Sequence, residues 1–285
     1  MSACSAPFYN HYNMITFPNA KINLGLNIVE RRPDGYHNIE TVFYPIPLTD
    51  VLEIVPAQDE TTLTCYGNAV DCPVEKNLVM KAYRLLQDRF NLPPVAMHLY
   101  KHIPDGAGLG GGSSDAARAL VMLNKMFSLG IGDADLASMA ATLGADCAFF
   151  VYNRPMMATG IGDKLSPVDL DLKGKTLLLV KPPVGVDTRT AYSRVTPHEP
   201  EQSLAGTIAM PVAAWDGLLV NDFEPSVFAA LPQLWVIKLQ LLDKGAVYAA
   251  MSGSGSTVFG IFDSDKLAEA AADTFADCAT FVLHL

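Results

Sequence analysis

One segment constrains the fold of this chain more than any other. It is a run of glycines and serines that reads Pro104-Asp105-Gly106-Ala107-Gly108-Leu109-Gly110-Gly111-Gly112-Ser113-Ser114-Asp115. Apolar residues alternate over 95–99 before it, as in a strand, and recur at helical spacing over 116–127 after it. Glycine lets a ligand approach the backbone amides, and a helix N-terminus attracts anions. The pattern therefore predicts a phosphate-binding loop between a strand and a helix.

The serines at the end of this run suggest where the helix begins. Ser113, Ser114 and Asp115 are typical N-cap residues, so we expect them to cap the helix that follows. A flexible linker with a helix cap is the structural alternative. Linkers rarely lie so tightly between a strand pattern and a strong helix pattern, which favours the phosphate loop.

Two common phosphate loops fit this run poorly. A Walker A loop needs Gly-Lys-Ser or Gly-Lys-Thr, and the run contains no lysine. The spacing Gly106-x-Gly108-x-x-Gly111 matches the dinucleotide fingerprint, which stays open as a weaker alternative. That fingerprint needs an acidic residue at the end of the second strand, whereas Asp133 lies before a predicted helix.

The rest of the chain mixes strand and helix patterns without a regular alternation. From Lys21 onward polar and apolar residues alternate, which predicts a half-buried strand with Lys21 and Asn23 on one face. The irregular mixture favours an α+β fold over a doubly wound sheet. Composition marks no sharp domain boundary, and the stretch from Gly160 to Gly174 is the best candidate.

Composition and charge exclude several classes of protein. The chain has 285 residues, enough for about two domains. It is 50% hydrophobic and only 18% charged, which excludes disorder, and its net charge is −10. It has no apolar run long enough to span a membrane, and the first twenty residues do not resemble a secretory signal. Five scattered cysteines predict a reducing, cytoplasmic location. The acidic balance predicts no nucleic-acid partner, and the oligomeric state stays open.

Three motifs together resemble one family. The string Gly108-Leu109-Gly110-Gly111-Gly112-Ser113-Ser114 resembles the ATP loop of the GHMP kinase superfamily. Residues 18–24, Pro-Asn-Ala-Lys-Ile-Asn-Leu, are similar to the first motif of this superfamily, with Asn19 as an insertion. Residues 251–257 are similar to its third motif. The resemblance implies a two-domain α+β fold, with an N-terminal ATP-binding domain (1–165) and a C-terminal ferredoxin-like α/β sandwich domain (166–285). It also implies that ATP, accompanied by Mg²⁺, binds at the residues from Pro104 to Ser114.

Two further strings resemble the methylerythritol branch of this superfamily. Asp34-Gly35-Tyr36-His37 is similar to a family segment whose Tyr and His hold a cytidine. Thr188-Arg189-Thr190-Ala191-Tyr192 is more loosely similar to a family segment whose last aromatic residue stacks on the cytosine. The resemblance implies substrate contacts at Tyr36, His37, Thr188 and Tyr192. It implies phosphorylation of the 2-hydroxyl of 4-diphosphocytidyl-2-C-methyl-D-erythritol, a step of non-mevalonate isoprenoid precursor synthesis. The structural alternative is that Tyr36 simply packs against the protein and that His37 is a surface residue.

The same resemblance implies the catalytic residues. Gly144-Ala145-Asp146 followed by Phe149-Phe150 resembles the family segment Gly-Ala-Asp-x-Pro-Phe-Phe, so Asp146 is expected to be the base for the accepting hydroxyl. Lys21 is expected to orient Asp146 or to stabilise the transferred phosphoryl group, and Asn23 to bind the methylerythritol part. The structural alternatives are a turn aspartate for Asp146 and a lysine that protects a strand edge for Lys21.

The sequence departs from the family pattern at two places. Ala148 stands where the family usually has Pro, and residues 159–163, Thr-Gly-Ile-Gly-Asp, change or shorten both acids of a Glu-Gly-x-Gly-Glu segment. His98 and His102 lie on a predicted strand and are not expected to bind a metal, and the Mg²⁺ ligands are unknown. A kinase for another small alcohol, such as homoserine or mevalonate, and a catalytically silent nucleotide sensor are the alternative functions.

Overall fold

The computed structural model of the chain describes residues 14–70 and 72–285. The prediction about a secretory signal concerns mainly residues 1–13, which lie outside the described residues. The strands of the described part are β1 (Met14–Thr16), β2 (Asn19–Arg31), β3 (His37–Thr49), β4 (Val51–Pro56), β5 (Thr62–Gly67), β6 (Val95–Lys101), β7 (Met156–Thr159), β8 (Lys164–Pro167), β9 (Thr176–Lys181), β10 (Tyr248–Met251), β11 (Val258–Phe262) and β12 (Ala279–His284). The helices there are α1 (Leu78–Phe90), α2 (Gly111–Met126), α3 (Asp133–Ala141), α4 (Cys147–Tyr152), α5 (Thr188–Ser193), α6 (Leu204–Ile208), α7 (Glu224–Ala230), α8 (Pro232–Asp243) and α9 (Asp265–Ala272).

The chain folds into two compact units that interleave along the sequence. The first unit combines Met1–Pro18, Asp50–His102 and Gly112–Tyr152, and the second combines Asn19–Thr49, Ile103–Gly111 and Asn153–Leu285. The chain therefore passes between the units several times. The division into residues 1–165 and 166–285 stays a prediction about domains that are continuous in sequence.

The first unit is one sheet packed against helices. Its strands run in the order β1-β4-β6-β5, with β5 parallel to β6 and the other pairs antiparallel. Buried aliphatic residues of β4 and β6 pack with the apolar faces of α1, α2 and α3 in a single core. Burial of these side chains supplies the main stabilising contribution of the unit.

Helix α1 follows the rules for helix ends. The Asn77 side chain accepts a hydrogen bond from the amide of Val79 at 2.9 Å, which caps the N-terminus. The helix ends at Asn91, which is left-handed with φ 51°, shortly before Pro93-Pro94. Its beginning and its end are therefore both explained by local sequence.

The second unit contains two antiparallel sheets. One has the order β2-β3-β7-β8, and the other has the order β10-β11-β9-β12. In the second sheet, helices connect β9 to β10 and β11 to β12, while β10 and β11 follow each other directly. This gives the β-α-β-β-α-β order of a ferredoxin-like fold. The α+β fold class is confirmed.

Strand β2 differs from its prediction because both of its faces are buried. Ala20, Ile22 and Leu24 pack into a core shared with the ferredoxin-like sheet, and Lys21 and Asn23 on the other face are also buried. Gly25, with φ 65°, forms a bulge between Leu24 and Leu26 in the pairing with β3. Alternation of residue types predicts which side chains share a face, but not whether something covers the polar face.

A membrane-spanning length is not reached by any single helix in residues 14–70 and 72–285. The pair α7 and α8 passes the length and composition test together, although it is bent by 116°.

Candidate active site

Lys21 lies near the start of β2 and is 3% exposed. Its ammonium donates to Asn23 Oδ1 at 2.6 Å and to the carbonyl of Gly108 at 3.1 Å, and it lies 5.1 Å from the centre of the Phe43 ring. Its backbone amide donates to the carbonyl of Leu109 at 2.9 Å. A lysine that only protects a strand edge would be exposed, so that alternative is wrong.

Asn23 continues the polar face of β2. Its side-chain amide donates to the hydroxyl of Thr41 on β3 at 3.0 Å, and that hydroxyl donates to the carbonyl of Gly25 at 2.5 Å. The nitrogen and the oxygen of the Asn23 side-chain amide thus both form hydrogen bonds, since the oxygen accepts from Lys21. These bonds hold the ammonium of Lys21 in a defined position inside the unit.

The glycine-rich loop adopts the conformations that its composition predicts. Gly106, Gly108 and Gly110 have φ angles of 58°, 75° and 71°, in the left-handed region that favours glycine. The residues between them, Ala107 and Leu109, are buried in the core of the second unit. The loop is therefore anchored by two apolar side chains while its alternate glycines turn the backbone.

Gly108 has no room for a side chain. A Cβ atom there would lie 2.1 Å from the carbonyl oxygen of Ser252. The hydroxyl of Ser252 donates to the carbonyl of Gly108 at 2.8 Å, and the amide of Thr257 donates to the carbonyl of Ala107 at 3.3 Å. The third glycine-rich motif, residues 251–257, therefore packs directly on the backbone of the loop.

The predicted capping of α2 is wrong. The helix begins at Gly111, so Ser113, Ser114 and Asp115 lie in its first turns instead of at its N-cap. Ser114 and Asp115 are buried, and the Ser114 hydroxyl and one oxygen of Asp115 have no hydrogen-bond partner. Three consecutive glycines are poor helix formers, so the propensities placed the helix start too late.

The first unit contains a buried ionic cluster that was not predicted from the sequence. The ammonium of Lys101 contacts a carboxylate oxygen of Asp50 and one of Asp115, the latter at 2.7 Å. The other carboxylate oxygen of Asp50 accepts from the amide of His102 at 2.6 Å. Lys101 and Asp115 come directly before and after the loop in sequence, and that flanking opposite charge was the available signal.

The candidate substrate residues lie in the second unit. The ring of His37 stacks on the ring of Tyr192 with 4.9 Å between centres and 20° between planes, and Tyr192 makes an edge contact with Phe223. Tyr36 is 61% exposed, and its amide donates to Asp34 at 3.0 Å. The structure thus brings His37 and Tyr192 together and leaves the Tyr36 side chain in solvent.

His37 is suited to a neutral role. Partial burial and then the positive charge of Arg31 lower the pKa of this histidine below its ordinary value. A neutral imidazole carries one donor and one acceptor, so it can read the edge of a base. Thr188 begins α5, is exposed, and its hydroxyl lies 3.0 Å from that of Ser254 in the third motif.

Asp146 lies in the first unit, in the turn between α3 and α4. The turn begins at Gly144, whose carbonyl accepts from the amide of Cys147 at 3.0 Å. Ala148 lies in the first turn of α4 and is buried, and Phe149 and Phe150 contact each other edge to face. Burial, opposed by a hydrogen bond from Ser113 and reinforced by Asp146, raises the pKa of the Cys147 thiol to about 11, so this neighbouring thiol is not a nucleophile at neutral pH.

The remaining departures from the motif pattern have simple structural roles. Residues 160–163 form the turn between β7 and β8, in which Gly160 and Gly162 have φ angles of 67° and 102°.

Across the described ranges 14–70 and 72–285, no group of three or more His, Cys, Asp or Glu side chains is placed to hold a metal ion. His98 lies on β6, as predicted.

Family models match two parts of the chain. The model described as GHMP kinases N terminal domain matches residues 77–154, and the model described as GHMP kinases C terminal matches residues 209–279. A protein of Bacteroides fragilis named 4-diphosphocytidyl-2-C-methyl-D-erythritol kinase is 58% identical over 256 residues, which cover 89% of this chain and 93% of that protein. The chain belongs to the 4-diphosphocytidyl-2-C-methyl-D-erythritol kinase family.

Further proteins and solved structures are similar to this chain. The Porphyromonas gingivalis protein of the same name is 50% identical over 93% of this chain and 97% of its own length. A crystal structure of 4-(cytidine 5'-diphospho)-2C-methyl-D-erythritol kinase superimposes with a TM-score of 0.81 at 32% identity, over 95% of this chain and 98% of that one. Homoserine kinase from Cytophaga hutchinsonii, with a TM-score of 0.67 at 17% identity over 94% of each chain, shares the fold.

The ionic cluster predicts a pH dependence of stability. Burial raises the pKa of the Asp115 carboxyl to about 7. The positive charge of Lys101 lowers this pKa, but the negative charge of Asp50 raises it and offsets part of that effect. The folded protein therefore binds this proton more tightly than the unfolded chain. The contribution of this protonation to the free energy of unfolding is fully present below about pH 4 and is lost as the pH rises through about 7.

The expected result is a difference between two unfolding profiles. From pH 5 to pH 8 the wild-type protein should lose on the order of 2 kcal/mol of unfolding free energy relative to the Asp115→Asn variant, which has no such proton. Urea unfolding at each pH measures this, and the exposed Asp88→Asn variant should follow the wild type. Parallel profiles for the wild type and Asp115→Asn would contradict the assignment.

Proposed function

We propose that this chain transfers the γ-phosphoryl group of ATP to the 2-hydroxyl of 4-diphosphocytidyl-2-C-methyl-D-erythritol, in the non-mevalonate route to isoprenoid precursors. The observation that carries the proposal is the buried ammonium of Lys21, held against the backbone of a glycine-rich loop at Gly108. The names of relatives that are 50–58% identical over most of the chain supply the reaction.

The donor site is the loop from Pro104 to Ser114. Its amides and the N-terminus of α2 bind the triphosphate, since alternate left-handed glycines leave the loop backbone open to close approach by a ligand. Mg²⁺ neutralises phosphate charge during transfer when it is bound. It enters with ATP, because ATP sites hold this ion largely through phosphates and water, and no ligand residue is assigned to it.

Catalysis depends on two charged side chains. Asp146 accepts the proton of the attacking hydroxyl, and Lys21 stabilises the negative charge that develops on the transferred group. The hydrogen bond from Lys21 to Asn23, at 2.6 Å, keeps the ammonium in place before the substrate arrives. Preorganised charge of this kind needs no rearrangement at the moment of reaction.

The acceptor binds along the second unit. Tyr36 and Tyr192 stack on the cytosine, His37 reads its edge, Thr188 lies near the substrate, and Asn23 contacts the methylerythritol part. Support comes from the His37–Tyr192 stack, which already assembles two aromatic rings, and from the exposure of Tyr36, which leaves its ring available. The stack must open if a base is to lie on the Tyr192 face that His37 covers.

The small-molecule substrate is the only partner that we propose. A reducing, cytoplasmic location is supported by Cys65, Cys72, Cys147 and Cys278, which are free thiols in the described part of the chain.

A panel of acceptors with labelled ATP tests the function. The cytidine substrate should be phosphorylated, and homoserine and mevalonate should not. Tyr36→Ala should raise KM for the cytidine substrate about tenfold, from the loss of base stacking, with KM for ATP unchanged. Tyr100→Ala, which removes another exposed tyrosine (53%) far along the sequence, is the matched control and should leave both constants unchanged.

Two outcomes of this experiment would count against the proposal. Phosphorylation of homoserine without phosphorylation of the cytidine compound would overturn the function. An unchanged KM in the Tyr36→Ala variant would remove Tyr36 from the site while leaving the function intact.

A further inference from the structure

The ionic cluster of Lys101, Asp50 and Asp115 joins the two ends of the glycine-rich loop. Lys101 is the last residue of β6, and Asp115 lies in the first turns of α2, so residues 102–114 form a closed excursion between them. The ammonium and the Asp115 carboxylate are 2.7 Å apart, and the two side chains are only 5% and 2% exposed. A buried ion pair thus connects the segments that flank the loop.

Asp50 connects this pair to a further part of the chain. One of its oxygens contacts Lys101 and the other accepts from the amide of His102, where the loop begins. Its own amide donates to the carbonyl of Pro18 at 2.8 Å. Pro18 directly precedes β2, so this buried aspartate bonds to residues that precede both the loop and the strand of Lys21.

Stability alone does not account for such a cluster. One ammonium faces two carboxylates away from water, and one oxygen of Asp115 has no hydrogen-bond partner. Apolar side chains of similar volume often replace buried ionic groups with no loss of stability. An ionic cluster differs from an apolar one in fixing the relative positions of its members, and backbone amides bind an anion well only when they are preorganised.

We propose that Lys101, held between Asp50 and Asp115, is a positioning residue that presets the glycine-rich loop for the triphosphate. It acts through the backbone of the loop and touches no substrate. The proposal rests on the proposed function only in that ATP is the ligand of the loop. The acceptor plays no part in it.

Two variants test the cluster without leaving an unpaired buried ammonium. Asp115→Asn leaves Lys101 paired with Asp50 and frees one end of the loop. The triple variant Asp50→Asn, Lys101→Met and Asp115→Asn removes every charge at once. In both we expect KM for ATP to rise about tenfold or more, with KM for the acceptor changed less than about twofold. Glu75→Gln, which removes the surface partner of Arg84, is the control and should change neither constant.

A merely structural role predicts a different result. General loss of structure would raise both Michaelis constants together, and that outcome in folded variants would overturn the proposal, as would an unchanged KM for ATP. Binding of a non-hydrolysable ATP analogue, measured by calorimetry, should fall in parallel with KM. This readout needs no acceptor, so it separates failure of this proposal from failure of the proposed function.

A measurement on the unaltered protein covers the case in which the variants do not fold. If the loop is preset, the backbone amides of residues 103 and 105–112 should have NMR order parameters of about 0.85, as in a rigid backbone, both without nucleotide and with the ATP analogue. Order parameters below about 0.6 without nucleotide, followed by a strong rise when the analogue is added, would show that the nucleotide orders the loop and would overturn the proposal.

Discussion

The Asp146→Asn variant is expected to lose about 10²- to 10⁴-fold in kcat while its affinity for ATP is unchanged. The amide has the size and shape of the carboxylate but cannot take the proton of the acceptor hydroxyl, and a positioned base contributes a rate factor of about this size. Single-turnover phosphorylation of the cytidine substrate measures the rate, and calorimetry with an ATP analogue measures binding.

The control for this variant is Asp88→Asn, on the exposed side of α1. It makes the same chemical change outside the site, so its kcat should equal that of the wild type. Full activity in Asp146→Asn would show that Asp146 is a turn aspartate and not the base. A loss of ATP affinity in place of kcat would assign it to the donor site.

The Gly108→Ala variant is expected to lose both activity and several kcal/mol of unfolding free energy. Gly108 has a φ angle of 75°, and an added Cβ would lie 2.1 Å from the carbonyl oxygen of Ser252. Because this neighbour is backbone, relief requires the loop and the third motif to move apart. Steric and backbone strain of this kind costs about 3 kcal/mol or more. Urea unfolding and the KM for ATP measure the two effects.

Gly106→Ala separates steric overlap from backbone strain. Gly106 also has a positive φ, 58°, but a Cβ there would meet no atom within 4 Å. It should therefore lose only about 1 kcal/mol, the cost of placing alanine in the left-handed region. Equal losses for the two variants would mean that the contact with Ser252 does not matter.

Local patterns predicted the parts of this molecule that depend on neighbouring residues in sequence. Left-handed glycines in the loop follow from composition, because only glycine adopts such angles freely. Helix α1 follows from the helical spacing of Leu78, Ala82, Leu85 and Leu86 and from Pro93-Pro94 beyond its end. The three motifs together carried the fold class, since their order along the chain is specific to one superfamily.

Contacts distant in sequence were not predictable in the same way. Strand β2 reads as half-buried, but the third motif covers its polar face, where the amide of Asn23 donates to the hydroxyl of Ser252 at 3.3 Å. Those residues are more than two hundred positions apart. The Lys101 cluster was missed because Asp50 lies on another segment, and the opposite charges of Lys101 and Asp115 in the sequence do not show by themselves that the two side chains are buried together.

The candidate substrate residues show a third limit. A motif names residue types but not side-chain orientations, so the stack of His37 on Tyr192 could not be inferred from the strings that contain them. The roles of Tyr36, His37, Thr188 and Tyr192 therefore stay predictions that the kinetic experiments decide.

The position of β9 within its sheet sets the order in which the two units can mature on the ribosome. All segments of the first unit have been synthesised once Tyr152 has emerged. In the second unit, β9 pairs on one side with β11 and on the other with β12, whose residues Ala279–His284 are made much later. Until then one edge of β9 stays open, and an open edge is a template for pairing with other chains. The nascent second unit therefore passes through a stage with an open strand edge, which ends only when β12 has been made.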